Sequence, residues 1–418
     1  MAADDGPVAG MSGLDVGSAG PSGKGAAAAV NGVNGKDSAV AVAPDTKVSD
    51  KDGEAPEATD FANYFCTYAY LYHQKDMLED RKRTLAYYQA CVNNRACFKG
   101  KTVLDVGTGS GILAIFAAKA GARKVYAVEA TDMASKAKKL VEANGLMDVV
   151  EVIQGTIETV QLPEKVDLII SEWMGYFLLR ESMLDSVLVA RDRFLKPEGA
   201  MYPSHAAIYL APIWTHNKQN NRLRDYQGAV AGWEEFAEDV QRDYGVDVTC
   251  LTDDYGKEQR DYFLGTAQWT DVHPEQLMGR PHRFKSYDLK VLTLEELRAP
   301  LKERLSLRFD LDRTVEALCG WFDVDFRGSK ENPAYLAVNL PTGPDATGAT
   351  HWGQQTFYLG KKTIQARQGD TFEGTIEVVR RTDNQRLLAV QVDGEVVEGP
   401  RGRGGSTGQK FQWQWSIE

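Results

Sequence analysis

The chain has 418 residues, of which 43% are hydrophobic and 26% are charged, and this composition is typical of a globular protein large enough for two domains. The formal net charge of -11 argues against general nucleic-acid binding, which depends on Lys and Arg, and favours a basic partner or substrate. Charged residues interrupt the longest apolar stretches well before the roughly 20 residues that cross a bilayer, so neither a membrane-spanning helix nor a membrane partner is predicted.

Residues 1–58 are rich in Gly, Ala, Ser, Asp and Val. No basic region precedes a long apolar core there, so the segment does not resemble a secretory signal, and its composition predicts a disordered tail. Across the chain, five cysteines and six histidines are scattered without close pairs of metal-ligand spacing. This distribution predicts reduced thiols, an intracellular protein and no metal site.

The next segment, residues 59–88, mixes aromatic and charged residues at roughly helical spacing, as in a helix that lies over a pocket or simply packs on a core. Strands and helices then alternate, which predicts a parallel, doubly wound α/β sheet. We assign both parts to one domain, residues 59–200. The predicted strands are KTVLDVG, KVYAVEA, VVEVIQG and KVDLIISEW, and the predicted helices are ILAIFAAKAGA, SKAKKLVEANGL and ESMLDSVLVARDRFLKPEG, the last ended by Pro197 and Gly199.

The remaining residues, 201–418, are predicted to form a mostly antiparallel β domain, either a sandwich or a barrel. Within this range, residues 214–246 have the pattern of a helical insertion, which could simply cap the β domain. The segments with alternating polar and apolar residues are LSLRFDLDR, GWFDVDF, GTIEVV, LLAVQVDG and KFQWQWSIE.

A glycine turn, VLDVGTGSG, joins the first predicted strand to its helix and lets the backbone approach a ligand closely. The second strand ends in Glu129, 22 residues after Gly107, where a carboxylate can accept hydrogen bonds from both hydroxyls of a ribose. Asp105 lies two residues before Gly107, and its charge would disfavour a pyrophosphate but favour a cationic ligand. These residues therefore favour S-adenosylmethionine over a dinucleotide. Arg83 is a candidate for holding the carboxylate of this cofactor.

The stretch SEWMGYFLLRES places Glu172 and Glu181 among bulky apolar residues. A buried carboxylate needs a partner, so the pair requires either two structural cations or a ligand that binds two anions. Nine residues are too many for one helical face, so we expect a hairpin-like loop at the carboxyl edge of the sheet, where ligands of such sheets bind. A hydrolase with paired carboxylates would explain the two glutamates but not the glycine turn with Glu129.

Three stretches of the sequence carry a further signal: VLDVGTGSGILAIFAAKAGARKVYAVEA, LIISEWMGYFLLRESML and THWGQQ. Together these motifs resemble the protein arginine methyltransferase family, and the resemblance runs from about Tyr64 to the C-terminus. It implies a Rossmann-like S-adenosylmethionine-dependent domain followed by a β-barrel domain. It also implies that residues 214–246 form a helical arm, which docks on the cofactor domain of a second subunit in a homodimer.

The resemblance implies a set of cofactor contacts. Arg83 would hold the cofactor carboxylate, Glu129 the ribose and Glu158 the adenine. Gln74 occupies the position where many family members have histidine, and we expect it to contact the ribose. The full implied cofactor set is Gln74, Met77, Arg83, Asp105, Gly107, Gly109, Glu129 and Glu158.

The resemblance makes Glu172 and Glu181 a clamp for the substrate guanidinium, whose donors lie in one plane and suit two carboxylates. His351 and Asp80 would form a supporting pair across the two domains. The residues implied to line the substrate pocket are Tyr68, Met183 and Trp352.

The activity implied by the resemblance is methylation of arginine in proteins such as histones and Arg/Gly-rich proteins. The implied products are monomethylarginine and asymmetric dimethylarginine, and the implied locations are the cytoplasm and the nucleus. Two alternatives are a methyltransferase for a small molecule and an inactive scaffold that binds the cofactor. A small-molecule enzyme has no need of a two-carboxylate clamp, and nothing in the sequence favours a scaffold.

Overall fold

The structure, a computed structural model, describes residues 68–399 and 406–418. The tail predicted for residues 1–58 lies outside the described residues, as does the first part of the aromatic segment.

The aromatic segment forms helices that are interrupted at Asp80. The Asp80 side chain accepts a hydrogen bond from the backbone N–H of Arg83 at 3.0 Å, which caps the second helix at its N-terminus. This interruption changes the direction of the chain and leaves the Asp80 carboxylate beside the C-terminal domain. The helices are α1 (Leu71–Glu79), α2 (Arg81–Val92) and α3 (Arg95–Phe98).

The first domain contains a five-stranded parallel sheet in the order β3-β2-β1-β4-β5. Its central strand, β1, is buried at every residue, as a parallel strand covered on both faces should be. The elements are β1 (Thr102–Val106), α4 (Ile112–Lys119), β2 (Lys124–Glu129), α5 (Met133–Ala143), β3 (Val150–Gln154), β4 (Val166–Ser171), α6 (Met183–Phe194) and β5 (Leu195–Tyr202). The predicted doubly wound α/β architecture is confirmed.

The predicted end of the last helix in this domain was wrong. Helix α6 ends at Phe194, and Pro197 and Gly199 belong to strand β5. Strand β5 is an edge strand that pairs with β4 alone, and its register shifts where these residues lie. An edge strand tolerates proline because one side of its backbone makes no ladder hydrogen bonds.

A pair of helices is inserted within the C-terminal domain, after its first strand: α7 (Lys218–Tyr244) and α8 (Thr252–Leu264). The Trp233 ring stacks on the Tyr255 ring at 4.5 Å between centroids, and Trp233 Nε1 donates to Thr252 Oγ1 at 2.9 Å, so the two helices pack together. The sequence pattern predicted α7 but not α8. In the described ranges, no helix combines the length and apolarity needed to cross a membrane.

The C-terminal domain is antiparallel and barrel-like, as predicted. One sheet has the order β7-β13-β11-β6-β8 with β12 also paired to β11, a second has the order β17-β16-β15-β9, and β10 pairs with β14. The elements are β6 (His205–Ile213), β7 (Gln268–Thr270), β8 (His282–Asp288), α9 (Leu294–Arg298), β9 (Leu301–Arg308), β10 (Arg313–Val315), β11 (Ala317–Gly328), β12 (Pro333–Pro341), β13 (Gln354–Tyr358), β14 (Ile364–Ala366), β15 (Thr371–Arg380), β16 (Leu388–Val397) and β17 (Ser406–Ile417).

A buried ionic cluster joins the two domains. Asp185 of α6 accepts hydrogen bonds from Arg298 at 2.9 Å and from Arg380 of β15 at 2.6 and 2.9 Å. Burial alone would raise the pKa of Asp185, but these guanidinium groups lower it below its usual value. Because α6 begins directly after Glu181 and Ser182, the cluster also holds the glutamate loop against the barrel.

Candidate active site

A cavity lies at the carboxyl edge of the parallel sheet, between α1 and α2 on one side and the loop before β13 on the other. All the residues predicted for the site line this cavity, except Asp80 and Asp105. The predicted residues that line it are Tyr68, Gln74, Met77, Arg83, Gly107, Gly109, Glu129, Glu158, Glu172, Glu181, Met183, His351 and Trp352.

The glycine turn follows β1 and faces the cavity. Gly107 and Gly109 have φ angles of 68° and 54°, in the left-handed region that favours glycine. A Cβ atom at Gly107 would lie 2.2 Å from Met183 Cε, and one at Gly109 would lie 2.7 Å from Gln74 Oε1. Gln74 Oε1 also accepts from the backbone N–H of Ser110 at 3.1 Å. The buried Gln74 therefore supports the turn while it lines the cavity.

Glu129 ends strand β2 beside this turn, as predicted from its spacing. One carboxylate oxygen accepts from the backbone N–H of Gly109 at 2.8 Å. The other accepts from the backbone N–H and the hydroxyl of Thr131 at 2.9 and 2.7 Å. These bonds fix the carboxylate at the edge of the cavity.

Asp105 was also predicted to contact the cofactor, but the structure does not bring it into the cavity. The carboxylate is buried beneath the glycine turn and does not line the cavity; Thr108 Oγ1 donates to it at 2.5 Å. Burial raises the pKa of Asp105 to about 7, although the hydrogen bond from Thr108 opposes this shift. Asp105 therefore supports the turn from below.

The raised pKa predicts a pH-dependent stability. Because the native state binds the Asp105 proton more tightly than the unfolded chain, this contribution to stability is full below about pH 4 and is lost as the pH rises through 7. Asp105→Asn cannot ionise, so its thermal midpoint should fall less than that of the wild type between pH 4 and pH 7. Thermal unfolding across this range checks the prediction. The control is Asp132→Asn, a substitution of an exposed aspartate, which should follow the wild type. Equal slopes for Asp105→Asn and the wild type would contradict it.

Glu172 and Glu181 lie on a loop that folds back on itself, as predicted. Gly175 and Leu178 exchange backbone hydrogen bonds at 3.1 and 3.0 Å. Phe177, Leu178, Glu181 and Ser182 have positive φ angles although none is glycine. Such backbone is strained, and surrounding contacts must hold it. One such contact is the Phe177 ring, which packs edge-on against Phe357 of the barrel at 5.4 Å.

Glu172 is paired with Arg83 in the cavity wall. Arg83 Nη2 and Nε lie 2.9 and 3.3 Å from Glu172 Oε2, and both side chains are almost fully buried. Glu172 Oε1 accepts from the backbone N–H of Met174 at 3.2 Å. The arginine predicted to bind the cofactor carboxylate therefore also orients one of the two clamp glutamates.

Glu181 is held by three neighbours. The Tyr68 hydroxyl donates to Glu181 Oε2 at 2.8 Å, and Arg180 Nη1 donates to Oε1 at 3.0 Å. The Glu181 backbone N–H donates to the carbonyl of Arg386 at 2.8 Å, and Arg386 Nη1 donates to the Glu181 carbonyl at 2.5 Å. Arg386 lies between β15 and β16, so the barrel directly supports the strained backbone of this glutamate.

His351 and Asp80 form the predicted contact between the domains. Asp80 Oδ2 lies 2.8 Å from His351 Nδ1 and 2.9 Å from its backbone nitrogen. Burial would raise the pKa of Asp80, but hydrogen bonds from His351 and from the Arg83 backbone lower it. Beside this pair, Trp352 Nε1 donates to the Met174 carbonyl at 2.8 Å. The loop before β13 therefore also contacts the glutamate loop.

Comparisons with known proteins support both domains. The arginine methyltransferase oligomerization subdomain matches residues 205–397, and the ribosomal protein L11 methyltransferase (PrmA) family matches residues 85–202. The protein arginine N-methyltransferase PRMT10 of Oryza sativa subsp. japonica is 52% identical over 340 residues, which cover 81% of this chain and 89% of that protein. The chain belongs to the protein arginine methyltransferase family.

Solved structures of other arginine methyltransferases agree with this assignment. The structure of Arabidopsis thaliana protein arginine methyltransferase 10, described as uniquely open, matches with a TM-score of 0.80 at 47% identity, over 85% of this chain and 100% of that chain. The Trypanosoma brucei PRMT1 enzyme-prozyme complex with AdoHcy matches with a TM-score of 0.69 at 30% identity, over 84% of this chain and 100% of that one.

Ser186 and Arg386 of this arginine methyltransferase also line the cavity, although neither was predicted from the sequence. Ser186 of α6 donates to Glu158 Oε1 at 2.6 Å and fixes the carboxylate expected at the adenine. Arg386 lies 205 positions from Glu181, and no local pattern distinguishes it from other surface arginines. Ser186 offered a usable signal, since it follows Glu181 on the first turns of a predicted helix whose start faces the ligand edge of the sheet.

The donor set suits S-adenosylmethionine. Glu129 can accept from ribose hydroxyls, Glu158 from an adenine amino group, and the Arg83 guanidinium is a cation for a carboxylate. The missing side chains at Gly107 and Gly109 let Met183 and Gln74, two other cavity-lining residues, pack directly against the turn. In the part of the chain that the structure describes, no cluster of three or more potential metal ligands occurs.

Proposed function

We propose that this chain uses S-adenosylmethionine to methylate arginine guanidino nitrogens in proteins. The observation that carries the proposal is the position of Glu172 and Glu181, two carboxylates of one strained loop, in the same cavity as the nucleoside-binding turn. A guanidinium presents donors along several edges of one plane, so two carboxylates can hold it and direct one nitrogen toward the methyl group.

S-adenosylmethionine supplies a methyl group on a positively charged sulfur, which becomes a neutral thioether when the methyl group leaves. Glu129 would hold the ribose, Glu158 the adenine, and Arg83 the carboxylate of the amino-acid end. Arg83 also orients Glu172 through the 2.9 Å contact, so one cation links cofactor binding to the substrate clamp. This arrangement positions the reacting groups for an in-line displacement.

The clamp must make a weak nucleophile reactive, because a guanidinium with a pKa above about 12 has little lone pair to offer. Glu172 and Glu181 accept hydrogen bonds from the nitrogens that do not react and draw the positive charge toward them. The attacking nitrogen is thereby freed to donate electron density to the methyl carbon. His351, held by Asp80, lines the cavity on the barrel side. The proton that methyl transfer displaces from the attacking nitrogen passes to solvent during or after the transfer.

The proposed products are monomethylarginine and asymmetric dimethylarginine. The support is that Met77 and Met183 both line the cavity, a combination that resembles enzymes making the asymmetric product. The proposed substrates are arginine-containing segments such as histone tails and Arg/Gly-rich proteins, because the net charge of -11 favours a basic partner. The proposed locations are the cytoplasm and the nucleus, and neither a membrane nor a nucleic acid is proposed as a partner.

We also propose a homodimer in which α7 and α8 of one subunit dock on the cofactor domain of the other. The support is the family match of residues 205–397 and a set of exposed apolar side chains on both surfaces. Light scattering should give twice the mass of one chain, and a single-chain mass at micromolar concentration would contradict the proposal. The exposed side chains include Phe236, Tyr244 and Tyr262 on or beside the arm and Leu71, Tyr72 and Leu85 on α1 and α2.

The test of the activity is incubation with methyl-labelled S-adenosylmethionine and either a histone-tail or an Arg/Gly-rich peptide, followed by mass spectrometry of the modified residue. We expect label on arginine, first as monomethyl and then as asymmetric dimethylarginine. Symmetric dimethylarginine would contradict the product assignment alone. Cofactor binding without transfer to any peptide would favour a scaffold, and label on a small molecule but not on arginine would favour the other alternative.

A further inference from the structure

Strand β7 follows the helical arm in the chain and pairs with β13, the strand that follows the loop carrying His351. It begins four residues after α8 ends and pairs antiparallel with β13, with Trp269 opposite Gln355 and Thr270 opposite Gln354. The segment before β7 is anchored to the last strand of the barrel, because Ala267 N–H donates to the Ser416 carbonyl at 2.8 Å and Ser416 N–H donates to the Gly265 carbonyl at 2.7 Å. The segment between α8 and β7 is therefore hydrogen-bonded to the barrel, and β7 itself is hydrogen-bonded to β13.

Trp269 makes two contacts with the His351 loop. Its indole Nε1 donates to the His351 carbonyl at 3.1 Å. Its ring also lies against Gly353, where an added Cβ atom would come within 2.5 Å of Cε2 and Nε1. Gly353 has a φ angle of 53°, so glycine suits this position both for its backbone and for the space that the indole takes. The ring and the loop are therefore shaped to fit each other.

His351 is consequently held on opposite sides. Its backbone N–H and ring Nδ1 contact Asp80, whereas its carbonyl accepts from Trp269. Trp269 does not line the cavity, and about half of its surface is exposed. We propose that Trp269 is a positioning residue for His351, which secures the catalytic loop to the strand that leaves the arm. The proposal rests on the proposed function only for its kinetic consequence.

A conservative substitution tests the contact. Trp269→Phe keeps an aromatic ring against Gly353 but removes the N–H donor. We expect kcat for peptide methylation to fall about 3- to 10-fold, the range that loss of one half-exposed hydrogen bond supplies, with the Kd of S-adenosylmethionine unchanged within about twofold. Trp269→Ala should lower kcat further, since it also removes the ring.

Trp214→Phe is a matched control, because Trp214 Nε1 also donates to a backbone carbonyl, that of Glu275, at 3.1 Å and outside the cavity. It should keep wild-type kcat. Equal kcat for Trp269→Phe and Trp214→Phe would overturn the proposal, as would a loss of cofactor affinity equal to the loss of kcat, which indicates a general structural defect.

Amide exchange provides a readout that does not need activity. The backbone N–H of His351 donates to Asp80, so its hydrogen-deuterium exchange reports whether the loop is held. We expect faster exchange of this amide in Trp269→Phe than in the wild type and in Trp214→Phe, in full-length protein without peptide. Unchanged exchange would overturn the positioning role. An inactive wild type would instead overturn the proposed function and leave the exchange result to decide this inference.

A double-substitution cycle shows whether the effect of Trp269 on kcat acts through His351 or through another part of the protein. Asp80→Asn weakens the opposite contact on His351, so in the combined variant the loss of kcat should be smaller than the product of the two single losses. Multiplicative losses would show that Trp269 does not act through His351 and would overturn the proposal.

Discussion

Glu172→Gln and Glu181→Gln should each lower kcat for arginine methylation by about 10²- to 10³-fold, a loss comparable to removing one preorganised electrostatic group from an active site. Glutamine keeps the shape of the side chain but removes the negative charge that draws the positive charge of the guanidinium away from the attacking nitrogen. The Kd of S-adenosylmethionine should stay within a few-fold of wild type, since Glu129, Glu158 and Arg83 remain. Steady-state kinetics with a peptide, together with calorimetric cofactor binding, measures both quantities.

Glu164→Gln is a suitable control for these variants. Glu164 forms an ion pair with Arg123 at 2.7 Å, but it lies outside the cavity. It should retain the wild-type kcat. Wild-type rates in both clamp variants would refute the clamp, and a large loss of cofactor binding in both would move their role from the substrate to the cofactor.

Arg386→Ala should lower kcat by about 10²-fold, because a displacement of about 1 Å in a catalytic group has an effect of this size. The Arg386 guanidinium supports the carbonyl of Glu181, whose φ of 82° is followed by 58° at Ser182. Without this donor the strained turn can relax and move the Glu181 carboxylate away from its productive position. The Kd of S-adenosylmethionine should change little, so the defect should be confined to turnover of the peptide.

Arg381→Ala provides the comparison, since Arg381 belongs to the same hairpin but contacts Asp383 and Glu418 instead of the loop. It should have near wild-type kcat. Arg386→Lys can still donate one hydrogen bond to the Glu181 carbonyl and should recover part of the rate. If Arg386→Ala and Arg381→Ala behave alike, the barrel hairpin does not position Glu181.

Most of the cofactor-binding part of the site could be predicted from local sequence. The turn at Gly107 and Gly109 follows a buried strand, and Glu129 ends the next strand, so their meeting at one edge follows from the parallel order of the sheet. The same reasoning did not foresee the position of Asp105. By the pairing of Asp105 with Ala127, Asp105 and Glu129 point to the same face of the sheet, but Asp105 lies inside β1 beneath the turn, whereas Glu129 is the last residue of β2. A strand that is buried at every residue does not indicate how close to the ligand edge each side chain lies.

The sequence by itself determined three features: the α/β and β domains, the cofactor turn, and the loop motif with two glutamates that identifies the family. Each of these depends on residues that are close together in the chain. Only the tertiary structure decided how that pair is held. Arg83 reaches Glu172 across 89 positions, Arg386 reaches Glu181 across 205, and Trp269 reaches His351 across 82. Such contacts depend on the tertiary packing within each domain and between the two, and hydrophobic periodicity records which residues are buried but not which distant residue each one meets.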